Sequence, residues 1–137
     1  MGYYMSLSRY EFFIPKSKKA AALKAIKALA GKETHRYSGS HYAWVDTKDF
    51  TTAKTLEKAV KAWRWYLEVD DKTGDVVGIG FEGEKLGDDD VLFRALGPFV
   101  KKGSFIQMSG EDDCAWRWCF NGKTMVEISP TVTWLAF

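Results

Sequence analysis

The chain has 137 residues, 46% hydrophobic and 15% aromatic, with 20 Lys/Arg against 18 Asp/Glu. That length suits one domain burying about two-thirds of its unfolded surface, and the composition excludes disorder. No apolar run approaches the ~18–20 residues of a membrane helix, no charged-then-apolar secretory leader is read at the start, and the two cysteines read as reduced, packed thiols, so a cytoplasmic protein is expected.

Charge is unevenly placed. Residues 1–64 carry 13 Lys/Arg and 5 Asp/Glu, net +8; residues 65–137 carry 7 and 13, net −6. The split polarises the surface if the fold keeps the halves apart, and otherwise both sets are solvated faces.

In chain order, Met1-Gly2 with Ser6 fits the loose N-myristoylation pattern, and the same residues suit a strand or a frayed end. Alternation predicts a strand from Leu7 to Ile14, with Tyr10, Phe12 and Ile14 on one face and Pro15 ending it. Ser17 is a candidate N-cap for a helix over 18–30, with Leu23, Ile26 and Ala30 buried and Gly31 as the stop. Lys18, Lys19, Lys24 and Lys27, with Arg36 beyond, form a candidate phosphate-tracking surface, or else simply solvate the outer face.

Residues 33–46 read as a hairpin around Ser38-Gly39-Ser40. A second helix, capped by Thr51 or Thr52, runs to near Trp63, with Leu56, Val60 and Trp63 at amphipathic spacing. Residues 64–69 and 76–81 form a further hairpin around the turn 70–75, where Gly78 and Gly80 suggest a bulge or a close backbone approach. An acidic loop, 82–90, leads into a third helix capped within Asp88-Asp89-Asp90 and ended by Gly97-Pro98.

From Ser104 to Ile128 three β-rich runs are split by Gly110-Glu111-Asp112-Asp113 and Asn121-Gly122, which predicts a meander. Trp116, Trp118 and Phe120 share one face, and Arg117 points the other way. Pro130 breaks the pattern. The apolar, β-prone run 131–135 is either a last strand on its own sheet or a strand added to a neighbour's, giving a homodimer.

The predicted fold is therefore α+β: an antiparallel sheet of hairpins and a C-terminal three-stranded meander, with about three helices on one face. It is a single domain. A short echo between residues 38–44 and 109–116 suggests two strand–helix–hairpin halves.

The pattern Gly110-Glu111-Asp112, Trp116-Arg117-Trp118, Phe120, Gly122-Lys123 resembles the C-terminal part of a group of small bacterial and phage accessory proteins. The likeness extends upstream to the alanine-rich first helix and Trp63-Arg64-Trp65. It implies a small accessory protein, of bacterial or phage origin, and brings no site residues with it.

No catalytic pattern stands out. Cys114 and Cys119 fall on opposite faces of one predicted strand, so they do not ligate one metal; His35 and His41 flank a turn near Asp46 and Asp49 and are the remaining candidates. Gly78-Ile79-Gly80 sits in a strand and lacks the third glycine of a phosphate loop. Neither cysteine precedes a helix, and Glu82 and Glu84 lie in exposed, glycine-rich surroundings. No metal or cofactor is called for.

The expectation is a non-enzymatic protein-binding protein. Its candidate contact residues are Asp88, Asp89, Asp90, Glu111, Asp112, Asp113 and Arg117. In its phage-borne form it would inhibit a host defence complex, anti-CRISPR-like, by presenting acidic groups to a nucleic-acid channel. The alternative is a nucleic-acid or nucleotide binder using Lys18, Lys19, Lys24, Lys27 and Arg36 with exposed aromatics.

Overall fold

The computed structural model describes residues 2–32 and 41–136. The α+β architecture is as expected. Strands β1 (Met5–Glu11), β4 (Phe105–Gly110), β5 (Ala115–Phe120) and β6 (Met125–Ile128) form an antiparallel sheet in the order β1-β4-β5-β6. Strands β2 (Trp65–Val69) and β3 (Val76–Phe81) form a separate hairpin, joined to the β1 side by bridges Ile14–Val76 and Tyr4–Lys85. Helices α1 (Lys19–Lys27), α2 (Thr47–Thr51), α3 (Leu56–Ala62) and α4 (Asp89–Leu96) complete the order.

The sheet's inner face is read straight from period-two alternation. Met5, Ile106, Met108, Trp118, Phe120 and Met125 are buried. Phe93 of α4 packs onto them, with its ring 5.1 Å from Trp118 and 6.3 Å from Phe120. Trp65 joins the cluster at 4.9 Å from Phe93 and 6.1 Å from Trp118. Trp63, Trp65 and Trp118 are thus core residues, Trp116 is half-buried, and Trp44 and Trp134 are exposed.

β1 departs from simple alternation. The register slips between Leu7 and Arg9, so Ser8 bulges and Tyr10, not Arg9, lies opposite Ile106. α1 begins in a 3-10 turn over Lys16–Lys18, with the Lys18 amide donating to the Pro15 carbonyl; Ser17 does not cap it. The expected second helix corresponds to α3 and is capped by Thr55, not by Thr51 or Thr52, and the short α2 ahead of it is not among the expected elements. Asp46 caps α2 by accepting from the Lys48 amide, Thr55 caps α3 by accepting from the Lys58 amide, and the Thr52 hydroxyl closes α2 on the Lys48 carbonyl.

The hairpin expected over 33–46 falls largely outside the described residues. Its described part, 41–45, turns without forming a strand, and residues 38–40 of the echo lie outside the described residues. Residues 129–136 carry no regular structure either; 131–135 is not a strand on its own sheet.

Candidate functional site

Two acidic loops meet at the start of the chain. The Met5 amide donates to the Glu84 carbonyl, the Leu86 amide to the Tyr3 carbonyl, and the Glu111 amide to the Tyr4 carbonyl. Tyr3 and Tyr4 are therefore held between the loop after β3 and the β4–β5 turn. Two open grooves flank them. One, about 540 Å³, is lined by Tyr3, Trp116, Leu86, Asp113, Cys114 and Glu127 among others. The other, about 550 Å³, is lined by Tyr4, Glu84, Gly110 and Glu111 among others. Among the described residues no lysine or arginine lines either groove, although Lys85 Nζ stands 5.1 Å from the Tyr4 ring.

Local chemistry shapes this corner. The β4–β5 turn closes with the Gly110 amide on the Cys114 carbonyl at 2.8 Å, and Asp113 takes a left-handed conformation, φ 61°. The Tyr3 hydroxyl donates to Asp112 Oδ1. That bond pushes the Tyr3 phenol up to about 12 and draws Asp112 below its ordinary value, so Asp112 stays ionised. The same carboxylate raises the neighbouring Cys114 thiol, which keeps the thiol protonated and unreactive. The Tyr3 and Trp116 rings lie 6.3 Å apart. Behind them, Trp118 Nε1 donates to Glu127 Oε1 at 2.8 Å, so a core indole reaches the rim carboxylate.

The other half of the expected acidic surface is internal, which corrects the sequence reading. Asp88 and Asp89 are buried. Asp89 accepts from three donors: Arg64 Nη2, at 3.1 Å to Oδ1 and 3.0 Å to Oδ2, Trp65 Nε1 (2.8 Å) and the Gly87 amide (2.9 Å). Asp88 Oδ2 accepts from the Ala43 amide at 2.8 Å. Asp90, half-buried, pairs with Arg94 four residues on at 2.7 Å. Asp88 holds the N-cap position of α4 but makes no side-chain capping bond; its partner and those of Asp89 and Asp90 take up these charges instead, and a run of three aspartates before a helix says nothing about which way each one points.

Arg64 stands at the centre of that network. It has φ 73° where α3 hands over to β2, and its guanidinium lies 5.0 Å from the Trp44 ring and 5.4 Å from the Phe81 ring. Arg117 lies on the outer sheet face as expected, but half-buried: it stacks 4.4 Å over Phe105 and donates Nε to Gln107 at 2.8 Å.

The basic set is also reshaped. Lys19 pairs with Glu57 at 3.1 Å, which takes it from the outer surface; Lys18 and Lys24 are exposed, and Lys27 is half-buried. Arg36 and His35 lie outside the described residues. His41 is exposed and lines a groove with Trp44 and Asp46. Among the described residues no group of three His, Cys, Asp or Glu side chains is placed to hold a metal.

Sequence reasoning found Glu111, Asp112, Asp113 and the Trp116 strand. It passed over Tyr3, Tyr4 and Glu127 as contact residues. The first two lie just before β1, and only the backbone bonds of Tyr3 and Tyr4 to Leu86 and Glu111 make them groove walls. Glu127 becomes a rim group only through its hydrogen bond across the sheet to Trp118. Among the described residues no helix is long and apolar enough to cross a membrane. No protein-family model, curated protein or solved structure matches the chain.

Proposed function

We propose that this is a non-enzymatic, cytoplasmic protein-binding accessory protein, and that its acidic–aromatic corner takes a lysine- or arginine-rich segment of a protein partner. One observation carries the reading: Glu84, Glu111, Asp113 and Glu127 line two grooves walled by Tyr3, Tyr4 and Trp116, with no lysine or arginine among their described lining residues. Since Lys85 Nζ already stands 5.1 Å from the Tyr4 ring, the Tyr3–Trp116 groove is the one that offers its aromatic faces to a partner's cation. Aromatic faces attract ammonium and guanidinium groups, carboxylates at the rim steer them in, and tyrosine and tryptophan are the usual anchors of protein interfaces. The likeness to phage accessory proteins extends this to a phage-encoded inhibitor: a nucleic-acid channel of a host defence complex is a basic protein surface of the kind this corner would fill.

The test is calorimetric titration of the full chain with a lysine/arginine-rich peptide and with an acidic peptide of equal length. The reading expects binding of the basic peptide alone. It expects that binding to be lost in Glu84→Lys/Glu111→Lys/Asp113→Lys and weakened about tenfold or more by Trp116→Ala, as for an interface anchor. Equal binding by the charge-reversed protein refutes it. Quenching of tryptophan fluorescence by single-stranded nucleic acid, lost in Lys18→Glu/Lys24→Glu, would favour the basic helix instead.

A further inference from the structure

β6 is an uncovered edge of the sheet, and the same chain carries an apolar stretch, outside regular structure, suited to it. β6 ends the order β1-β4-β5-β6 and has only β5 beside it. On its outer face Val126 and Ile128 are 46% and 49% exposed. Just beyond, Val132, Trp134 and Leu135 are 76%, 90% and 79% exposed, in a stretch without a charged residue from Ser129 to Ala136. The edge has two partial protections, its four-residue length and the inward-turned Glu127, but neither β6 nor residues 131–135 carry a lysine or a proline.

The chain cannot easily close this edge on itself. Folding 131–135 back along β6 would need a tight hairpin at Ser129-Pro130. Two-residue hairpins favour turns with positive φ at the first central residue. A residue before proline is confined to extended conformations, and proline itself is fixed near −65°, so Ser129-Pro130 opposes that turn. A longer loop would use up the residues that should pair. The strand is therefore directed away from its own edge.

We infer that residues 131–135 of one copy add as an antiparallel strand to β6 of a second copy, reciprocally, giving a two-fold dimer. The dimensions match: five extended residues span roughly 16 Å and the four of β6 roughly 13 Å. With period two, Val132 and Trp134 share a face and meet Val126 and Ile128 of the other copy on the uncovered outer side. A groove of about 390 Å³ there, lined by Arg117, Ile128 and Pro130 among others, leaves room for the indole. A tryptophan alone buries roughly 150–250 Å². Two such strands, with the edges they cover, come within the ~1,200–2,000 Å² of a stable interface. Because each copy supplies one strand and one edge, the exchange closes at two.

Sedimentation and light scattering of the full chain, alongside Val132→Lys/Trp134→Lys, test this. The wild type should have twice the 15.6 kDa chain mass, and the variant the mass of one chain. Both residues are exposed and outside the core, so the variant should keep the wild-type circular dichroism spectrum; a lost spectrum would mean that these side chains pack within the monomer and would overturn the inference. Trp134 emission should shift to the blue as wild-type concentration rises, and a Trp134→Phe protein should lack that shift. A wild type that stays monomeric, or a dimer that survives the double substitution, also overturns it. The charge reversals used for the acidic corner leave 131–135 and β6 intact and should not change the mass, which separates failure here from failure of the proposed function.

Discussion

Tyr3 donates its hydroxyl to a carboxylate from the far side of the chain, and both groups respond as the physics of a charged acceptor requires. The hydrogen bond that the neutral phenol donates to Asp112, and with it the repulsion between the two anions that ionisation would set together, push Tyr3 from its ordinary 10.0 up to about 12. The hydrogen bond stabilises the ionised Asp112 and lowers its pKa. The signs follow. The tyrosine's contribution is complete below pH 10.0 and is lost as pH rises through about 12. The aspartate's contribution is complete above its ordinary 3.8 and is lost as pH falls through its lowered value. At neutral pH the corner therefore keeps a neutral phenol and a fixed negative charge. Tyrosinate absorbance, taken as wild type minus Tyr3→Phe, should show one phenol ionising near 12, and in an Asp112→Ala background that same difference should return toward 10.0. An unchanged Tyr3 titration in Asp112→Ala would show that the pair does not form in solution.

At the scale of elements, Asp89 ties the first turn of α4 to the start of β2 and to the loop before it, through Trp65, Arg64 and Gly87. Removing one partner of a buried pair leaves the other uncompensated, which typically costs about 3–5 kcal/mol. Asp89→Ala should destabilise by about that much in urea unfolding, and Asp89→Asn by less, because an amide oxygen can still accept from Trp65. A cost under about 1 kcal/mol for the alanine variant would mean that Arg64 finds water instead. Burial raises the Asp89 carboxyl although Arg64, Trp65 and Gly87 all lower it. The folded state thus keeps a proton that the unfolded chain has given up, and stability falls as pH rises from 3.8 through the raised value. The difference between wild type and Asp89→Ala should shrink over that window.

This element-scale network explains what the sequence could reveal. The meander β4–β5–β6 was legible because alternation and two turn motifs agree there. β2–β3 was legible for the same reason. β1 was misplaced by two to three residues because a bulge at Ser8 breaks the period that locates a strand. The helix before Trp63 starts at Thr55 and not at Thr51 or Thr52, and the short α2 ahead of it escaped the reading, because Asp46 and Thr55 each cap their own turn, a competition between nearby hydroxyl and carboxylate groups that spacing alone does not resolve. The aspartates at 88 and 89 looked like surface charge because their partners Ala43, Arg64 and Trp65 arrive from distant positions.

For the whole molecule, the charge split along the sequence does not survive folding as two hemispheres. β1, from the basic half, lies between β4 and the β2–β3 hairpin, both from the acidic half, and Lys19 is neutralised by Glu57 within its own half. What remains concentrated is local: the carboxylates around Tyr3 and Tyr4, gathered from the loop after β3, the β4–β5 turn and β6. A local field acts on encounter more than on residence. For a basic peptide, raising salt from about 0.01 to 0.15 M shortens the screening length from roughly 30 to 8 Å, which is comparable to the reach of a side chain. Stopped-flow association should therefore slow by about tenfold over that range, with dissociation changing much less. Glu111→Lys/Asp113→Lys should flatten this dependence while Asp90→Asn, already paired with Arg94, leaves it as in the wild type. A salt effect confined to dissociation would mean that the peptide is held by desolvated ion pairs deeper than these open grooves provide, and would move the site away from the corner.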